Sequence, residues 1–105
     1  MSTNDRDVAG RTDRAVLRLY LASDSPGARR ALESRKRIIA AASEQVDIEI
    51  VDILERPAEA EAAGILATPT LSDETVTPPR RLIGDISNTA QVLEYFGYRN
   101  KDATA

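Results

Sequence analysis

Apolar positions along the chain come in blocks whose spacing changes from one block to the next. Ala15-Val16-Leu17-Arg18-Leu19-Tyr20-Leu21-Ala22 is short and nearly continuously apolar, which predicts a strand in the middle of a sheet, covered on both faces. From Pro26 the period lengthens. Ala28, Ala31, Leu32, Ile38, Ile39 and Ala42 recur at three- and four-residue spacing and form one buried stripe, while Arg29, Arg30, Glu33, Lys36 and Arg37 fall off it. Ser25-Pro26 marks the helix start, because a serine oxygen can cap a free amide and a proline at the first helical position loses no intrahelical bond. Val46 to Ile53 alternates and then turns apolar, with the β-branched content of a second strand. Strand, helix and strand in about forty residues predict a right-handed crossover with parallel strands.

Pro57 to Ala63, closed by Gly64, reads as a short helix. The run Ile65-Leu66-Ala67-Thr68-Pro69-Thr70-Leu71 predicts a buried strand bent at Thr68-Pro69, since proline has no amide hydrogen for a ladder. Ser72 to Thr77 is turn-like, and Arg80 to Ile83 is its hairpin partner. Asn88 to Phe96 predicts a final helix with Val92, Leu93 and Phe96 inward, opened by Asn88 with Gln91 three residues on. Residues 1–13 and 99–105 are polar without apolar period, so the pattern predicts mobile tails around one domain spanning 14–98.

Composition then narrows the chemistry. The 105 residues contain no His, no Cys and no Trp, which excludes thiol redox chemistry, His-dependent nucleophiles and Cys/His metal sites. No catalytic group, metal or cofactor is assigned. A net charge of −3 argues against nucleic acid as a partner, and no apolar run reaches the roughly 20 residues of a membrane span, so a cytoplasmic protein is expected. Arg29, Arg30, Arg35, Lys36 and Arg37 crowd one helix, and a solvated face is their simplest reading. Asp52, Asp73, Glu74 and Asp85 match no calcium-loop spacing, and Asp85 after Gly84 suits a turn before the last helix.

The order β-α-β-α-β-β-α with Thr-Pro just before the third strand resembles a thioredoxin-like domain, a three-layer fold on a mixed sheet. In that fold a cis proline faces the amino end of the first helix; redox members place two cysteines there, and this chain has Ser23-Asp24-Ser25-Pro26. Three runs carry a closer likeness: Leu17 to Ala22 leading to Ser25-Pro26, Ile65 to Leu71, and Pro79-Arg80-Arg81-Leu82-Ile83-Gly84-Asp85-Ile86-Ser87. Together they resemble the KaiB family of clock proteins. The resemblance implies a non-catalytic interaction module that binds a KaiC-like ATPase ring, competes with the sensor domain of a histidine kinase, and helps sequester a KaiA-like partner. It implies partner contacts at Arg80, Arg81, Gly84 and Asp85. It also implies a metamorphic chain, whose alternative ground state is a homotetramer with the second half rearranged; Thr68, Pro69, Thr70, Pro78, Pro79 and Tyr95 are the residues of that turn and switch.

Glu49, Gly64 and Asp73 stand where members of that family usually carry lysine, and Tyr95 stands where many carry glycine. A glycine in mid-helix costs up to about 1 kcal/mol, so Tyr95 favours the helical, thioredoxin-like form and a monomer. An alternative reading is a glutathione-binding enzyme or carrier using the Ser23 to Ser25 loop and the Thr68-Pro69 turn. A stress or signalling adaptor with a different partner is a third.

Overall fold

The computed structural model describes residues 15–102, so the predicted N-terminal tail of residues 1–13 and the chain end 103–105 lie outside the described residues. The order is β1 (Ala15–Leu21), α1 (Pro26–Ala41), β2 (Val46–Asp52), α2 (Pro57–Ala63), β3 (Thr70–Asp73), β4 (Arg80–Ile83) and α3 (Thr89–Phe96). Four strands form one mixed sheet in the order β2-β1-β3-β4. β1 runs parallel to β2 from Ala15↔Val46 to Leu21↔Asp52, and antiparallel to β3 through Arg18↔Ser72, Leu19↔Leu71 and Tyr20↔Thr70. The hairpin β3-β4 pairs Thr70↔Ile83 through Asp73↔Arg80.

Strand alternation sorts the side chains into two unequal layers. Leu17, Leu19, Leu21, Val46, Ile48 and Leu71 face α1 and α3 and join Ala28, Ala31, Ile38, Val92, Leu93 and Phe96 in the main core. Full burial of one such Leu or Ile contributes about 1.5–3 kcal/mol. On the other face, among the described residues, only α2 packs down, and its cluster is small: Tyr20, Val51 and Ala60, with Ile53, Ala63 and Ile65 at its border.

That asymmetry corrects the expectation that β1 is covered on both faces. Its position is central, yet Val16 is 42% exposed because α2, at seven residues, is too short to roof the whole face. The third strand also differs from its predicted extent. It begins at Thr70, after the bend, and takes in Ser72 and Asp73, which the turn-like composition had placed in the connection. Ile65 instead packs beside α2 and Leu66 points into solvent, so apolar content there reflects a border contact and not a ladder.

The helix boundaries are set by caps. Asn88 Oδ1 accepts the Gln91 amide at 3.1 Å, the predicted capping contact of α3. At α1 the proline start is present, but Ser25 makes no cap: its hydroxyl donates to the Ala22 carbonyl at 2.8 Å and closes the preceding turn. At Gly97 the left-handed backbone, φ 83°, lets the Tyr98 amide reach back to the Leu93 carbonyl at 2.8 Å and stop α3. The next residues return to the core. Ser43 N–H donates to the Arg99 carbonyl at 2.8 Å, Lys101 N–H to the Ala41 carbonyl at 2.7 Å and Arg99 N–H to Glu44 Oε1 at 2.9 Å, so residues 99–101, which carry no apolar signal, are held at the end of α1 through their backbone.

Candidate partner-binding face

β4 is an edge strand, and its alternation separates the two arginines proposed from sequence. Arg80 lies on the helix side, with its guanidinium carbon 5.0 Å from the centre of the Tyr95 ring. Arg81 lies on the opposite side, where Nε donates to Ser72 Oγ at 3.1 Å and Nη2 meets Glu74 Oε2 at 3.3 Å. The two charges therefore do not form one fork. Arg80 is exposed and faces outward over an aromatic, whereas Arg81 is half-buried and already has a carboxylate of its own chain.

Tyr95 ties α3 to this strand. Its hydroxyl donates to the Arg81 carbonyl at 2.6 Å, and its ring meets Phe96 edge-on at 5.0 Å. Around it, Val76, Thr77, Pro78, Pro79, Arg80 and Tyr95 frame an open concavity of about 590 Å³. The Thr77-Pro78 and Thr68-Pro69 peptides are both cis. In the second of these turns Thr70 Oγ1 donates to the Ala67 carbonyl at 2.7 Å, and the Gly84 amide donates to the Pro69 carbonyl at 2.9 Å. Thr68, Pro69, Thr70 and Gly84 are thus brought together at one end of the hairpin, with Pro78, Pro79, Arg80 and Tyr95 at the other.

Asp85 sits just beyond Gly84 and is exposed. The Ser87 amide at 2.9 Å and the Ser87 hydroxyl at 3.0 Å both donate to its carboxylate. These bonds, the backbone one first, hold its carboxyl below the usual carboxylate range, with a smaller contribution from the Arg30 charge.

Sequence reasoning missed a polar ladder on the α2 side of the sheet. Arg18 Nε donates to Glu49 Oε1 at 3.1 Å, and its Nη1 lies 3.7 Å from both Glu59 and Glu74. Arg56 grips Glu59 through Nε at 2.7 Å, and the hydrogen bond lowers the Glu59 carboxyl. Buried Tyr20 donates its hydroxyl to Glu74 Oε2 at 2.7 Å; burial first, then that bond, pushes the phenol upward. The available signal was Arg18 alone, a charge inside an apolar strand, which needs a partner or a solvent route. Of the basic run on α1, Arg35 turns inward and donates to the Ile48 carbonyl at 2.7 Å; Arg29, Arg30, Lys36 and Arg37 are exposed.

The alternative reading through Ser25 loses its donor, since that hydroxyl is committed to the Ala22 carbonyl. Among the described residues no helix is long and apolar enough to cross a membrane.

Comparison with known proteins agrees with this geometry. The N-terminal domain of Synechococcus elongatus SasA superposes with a TM-score of 0.62 at 20% identity, covering 91% of this chain and 89% of that one. Chloroplastic thioredoxin z superposes with a TM-score of 0.68 at 18% identity, over 84% of this chain and 80% of its own. The fold is thioredoxin-like. In sequence, the circadian clock protein KaiB3 of Synechocystis sp. is 42% identical over 82 residues, which is 77% of this chain and 80% of the relative. The circadian clock oscillator protein KaiB of Nostoc punctiforme is 43% identical over 79 residues, 74% of this chain and 76% of its own length. The KaiB domain family matches residues 18–97, so the chain belongs to the KaiB family.

Proposed function

We propose that this chain is a non-catalytic, cytoplasmic interaction module of a circadian or related timing system, which docks on a KaiC-like ATPase ring. The observation that supports this reading most is the family match across residues 18–97 on a chain without His or Cys. KaiA-like and histidine-kinase partners are secondary candidates. The thioredoxin-like fold it has in common with the SasA domain supports competition for one docking place on the ring.

In this reading the partner meets the hairpin end and the loop before α3. Arg80 supplies an exposed guanidinium for a carboxylate, Asp85 an ionised carboxylate for a cation, Gly84 a close backbone approach, and Arg81 the support that keeps the strand in register. The chain works as a monomer in the form described, with a rearranged homotetramer as its alternative state. Tyr95 supports that preference: a rearrangement of the second half would break its bond to the Arg81 carbonyl and its ring contacts with Arg80 and Phe96. Thr68, Pro69, Thr70, Pro78 and Pro79 are the turns across which the halves would re-form.

Binding to a KaiC-like ATPase from the same organism tests the site. Arg80→Ala is expected to weaken binding about tenfold, the effect of losing one charge-assisted contact, with circular dichroism unchanged. Wild-type affinity in the Arg80→Ala, Arg81→Ala double variant removes the site. Light scattering with backbone chemical shifts tests the state: a tetramer with strand shifts over residues 89–96 refutes the monomer.

A further inference from the structure

Between the first half of α1 and the loops at the end of the hairpin lies a cleft of about 220 Å³, walled by Gly27, Arg30 and Ser34 on one side and by Pro69, Gly84 and Asp85 on the other. Three features set it apart from a surface crease. Ser34 is 2% exposed, yet its hydroxyl has no hydrogen-bond partner among the described residues. Folded proteins seldom leave a buried hydroxyl unmatched, so the cleft lacks the group that would complete it. Among the described residues Arg30 forms no ion pair within 4 Å, and Asp85 is bonded to Ser87 alone. A cation and a carboxylate thus stand on facing walls, close enough to influence each other and too far apart to join.

The helix end reinforces the positive wall. Ser25 turns its hydroxyl away from α1, so no side chain caps the first turn. The Arg30 guanidinium folds back over that turn, with Nη2 3.9 Å from where a Cβ on Gly27 would lie. Helix dipole and guanidinium there favour a carboxylate.

Size and charge then select the ligand. The volume falls below the roughly 300–1,000 Å³ of sites for drug-sized molecules, so a nucleotide does not fit. A simple anion leaves Asp85 facing it, and a simple cation leaves Arg30 unmatched. We propose that this cleft binds the zwitterionic head of a small free α-amino acid, its carboxylate on Arg30 and the Ser34 hydroxyl and its ammonium on Asp85. The proposal is independent of the clock-partner reading. It does place a small-molecule site against Gly84 and Asp85, one wall of the partner face.

Backbone amide shifts of the full chain, titrated with L-alanine in the absence of any partner, test it. The expected result is saturable shifts at Gly27, Arg30, Ser34 and Gly84 with a millimolar dissociation constant, about the range for so few ligand atoms. Acetate and methylammonium, each carrying one half of the head, should bind at least about tenfold more weakly. Ser34→Ala should lose the response while keeping or raising the melting temperature, since it removes an unmatched hydroxyl and places alanine in a helix. Glutathione, whose γ-glutamyl end carries the same head, should compete with L-alanine. No saturable shift, an undiminished response in Ser34→Ala, or binding of glutathione without L-alanine overturns the proposal. None of these outcomes bears on binding to an ATPase ring.

Discussion

In residues 15–52 two seven-residue strands pair along their full length and a sixteen-residue helix covers them, whereas in residues 65–102 the strands have four residues each and the helix eight. The first part is held by apolar burial repeated at every turn. The second is held to it by Leu71, Ile86, Val92, Leu93 and Phe96, by the short β1–β3 ladder, by the backbone bonds of residues 99–101 and by the Tyr20 to Glu74 bond; its own hairpin and helix are joined by single polar tethers, Gly84 to Pro69 and Tyr95 to Arg81. Distributed burial degrades gradually with substitution, while a single tether is either present or absent. A segment kept by few tethers is the one whose arrangement a single residue can bias.

The largest expected effect lies in the first region. Leu19 on β1 is fully buried in the main core, so Leu19→Ala should cost about 2–5 kcal/mol by urea denaturation and destabilise the domain as a whole. Next comes Tyr95→Gly, which removes a hydroxyl bond and two ring contacts and adds a helix-interior glycine. A loss of about 2–3 kcal/mol is expected, with hydrogen exchange faster in α3 and β4 than in β1 and β2. Equal acceleration in both regions would erase the contrast.

Tyr20→Phe sharpens it further. Glu74 keeps Ser72, Arg81 and Arg18 as partners, so the loss should be about 1 kcal/mol and confined to the hairpin. Arg80→Ala touches an exposed cation-π contact and should change stability by no more than about 1 kcal/mol.

The smallest effect is acid dependence. Asp52, held down first by Ser23, Glu59, held down first by Arg56, and Asp85, held down first by the Ser87 amide, all have carboxyls below their ordinary values. Folding therefore favours their ionised forms. That stabilisation is fully present above the unfolded carboxylate range, about pH 4, and is lost as pH falls through the lower folded values. Asp85 is exposed and Asp52 and Glu59 are only half-buried, so the urea midpoint should decline gently below about pH 4, and Asp85→Asn should flatten the decline.

The two regions also differ in how much the sequence disclosed. Pattern alone located β1, α1 and β2, because repeated apolar spacing over many residues has one solution. It located α3 through Asn88, Val92, Leu93 and Phe96. The start of β3 was misplaced, since Ile65 and Leu66 are as apolar as a strand and only the bend at Pro69 and the position of α2 remove them from the ladder. Residues 99–101 were unreadable because they attach through their own backbone groups, to the end of α1 and to the Glu44 carboxylate, and that leaves no mark in their side-chain types.

For the candidate face, the runs at Thr68-Pro69-Thr70 and Arg80 to Asp85 were visible as motifs, and the family followed from them. Their geometry was not. Neighbouring arginines in a strand must point to opposite faces, but which one meets Glu74 and which one Tyr95 depends on register against β3 and on the crossing of α3. The Arg18 to Glu74 ladder and the cleft at Ser34 join residues from distant parts of the chain. The sequence by itself determined the elements, the absence of thiol and imidazole chemistry, and the family, because these depend on local spacing and residue identity. Only the tertiary structure decided which charges are paired, which hydroxyl is left unmatched and which surface is open, because those depend on what the remaining elements bring within a few ångströms.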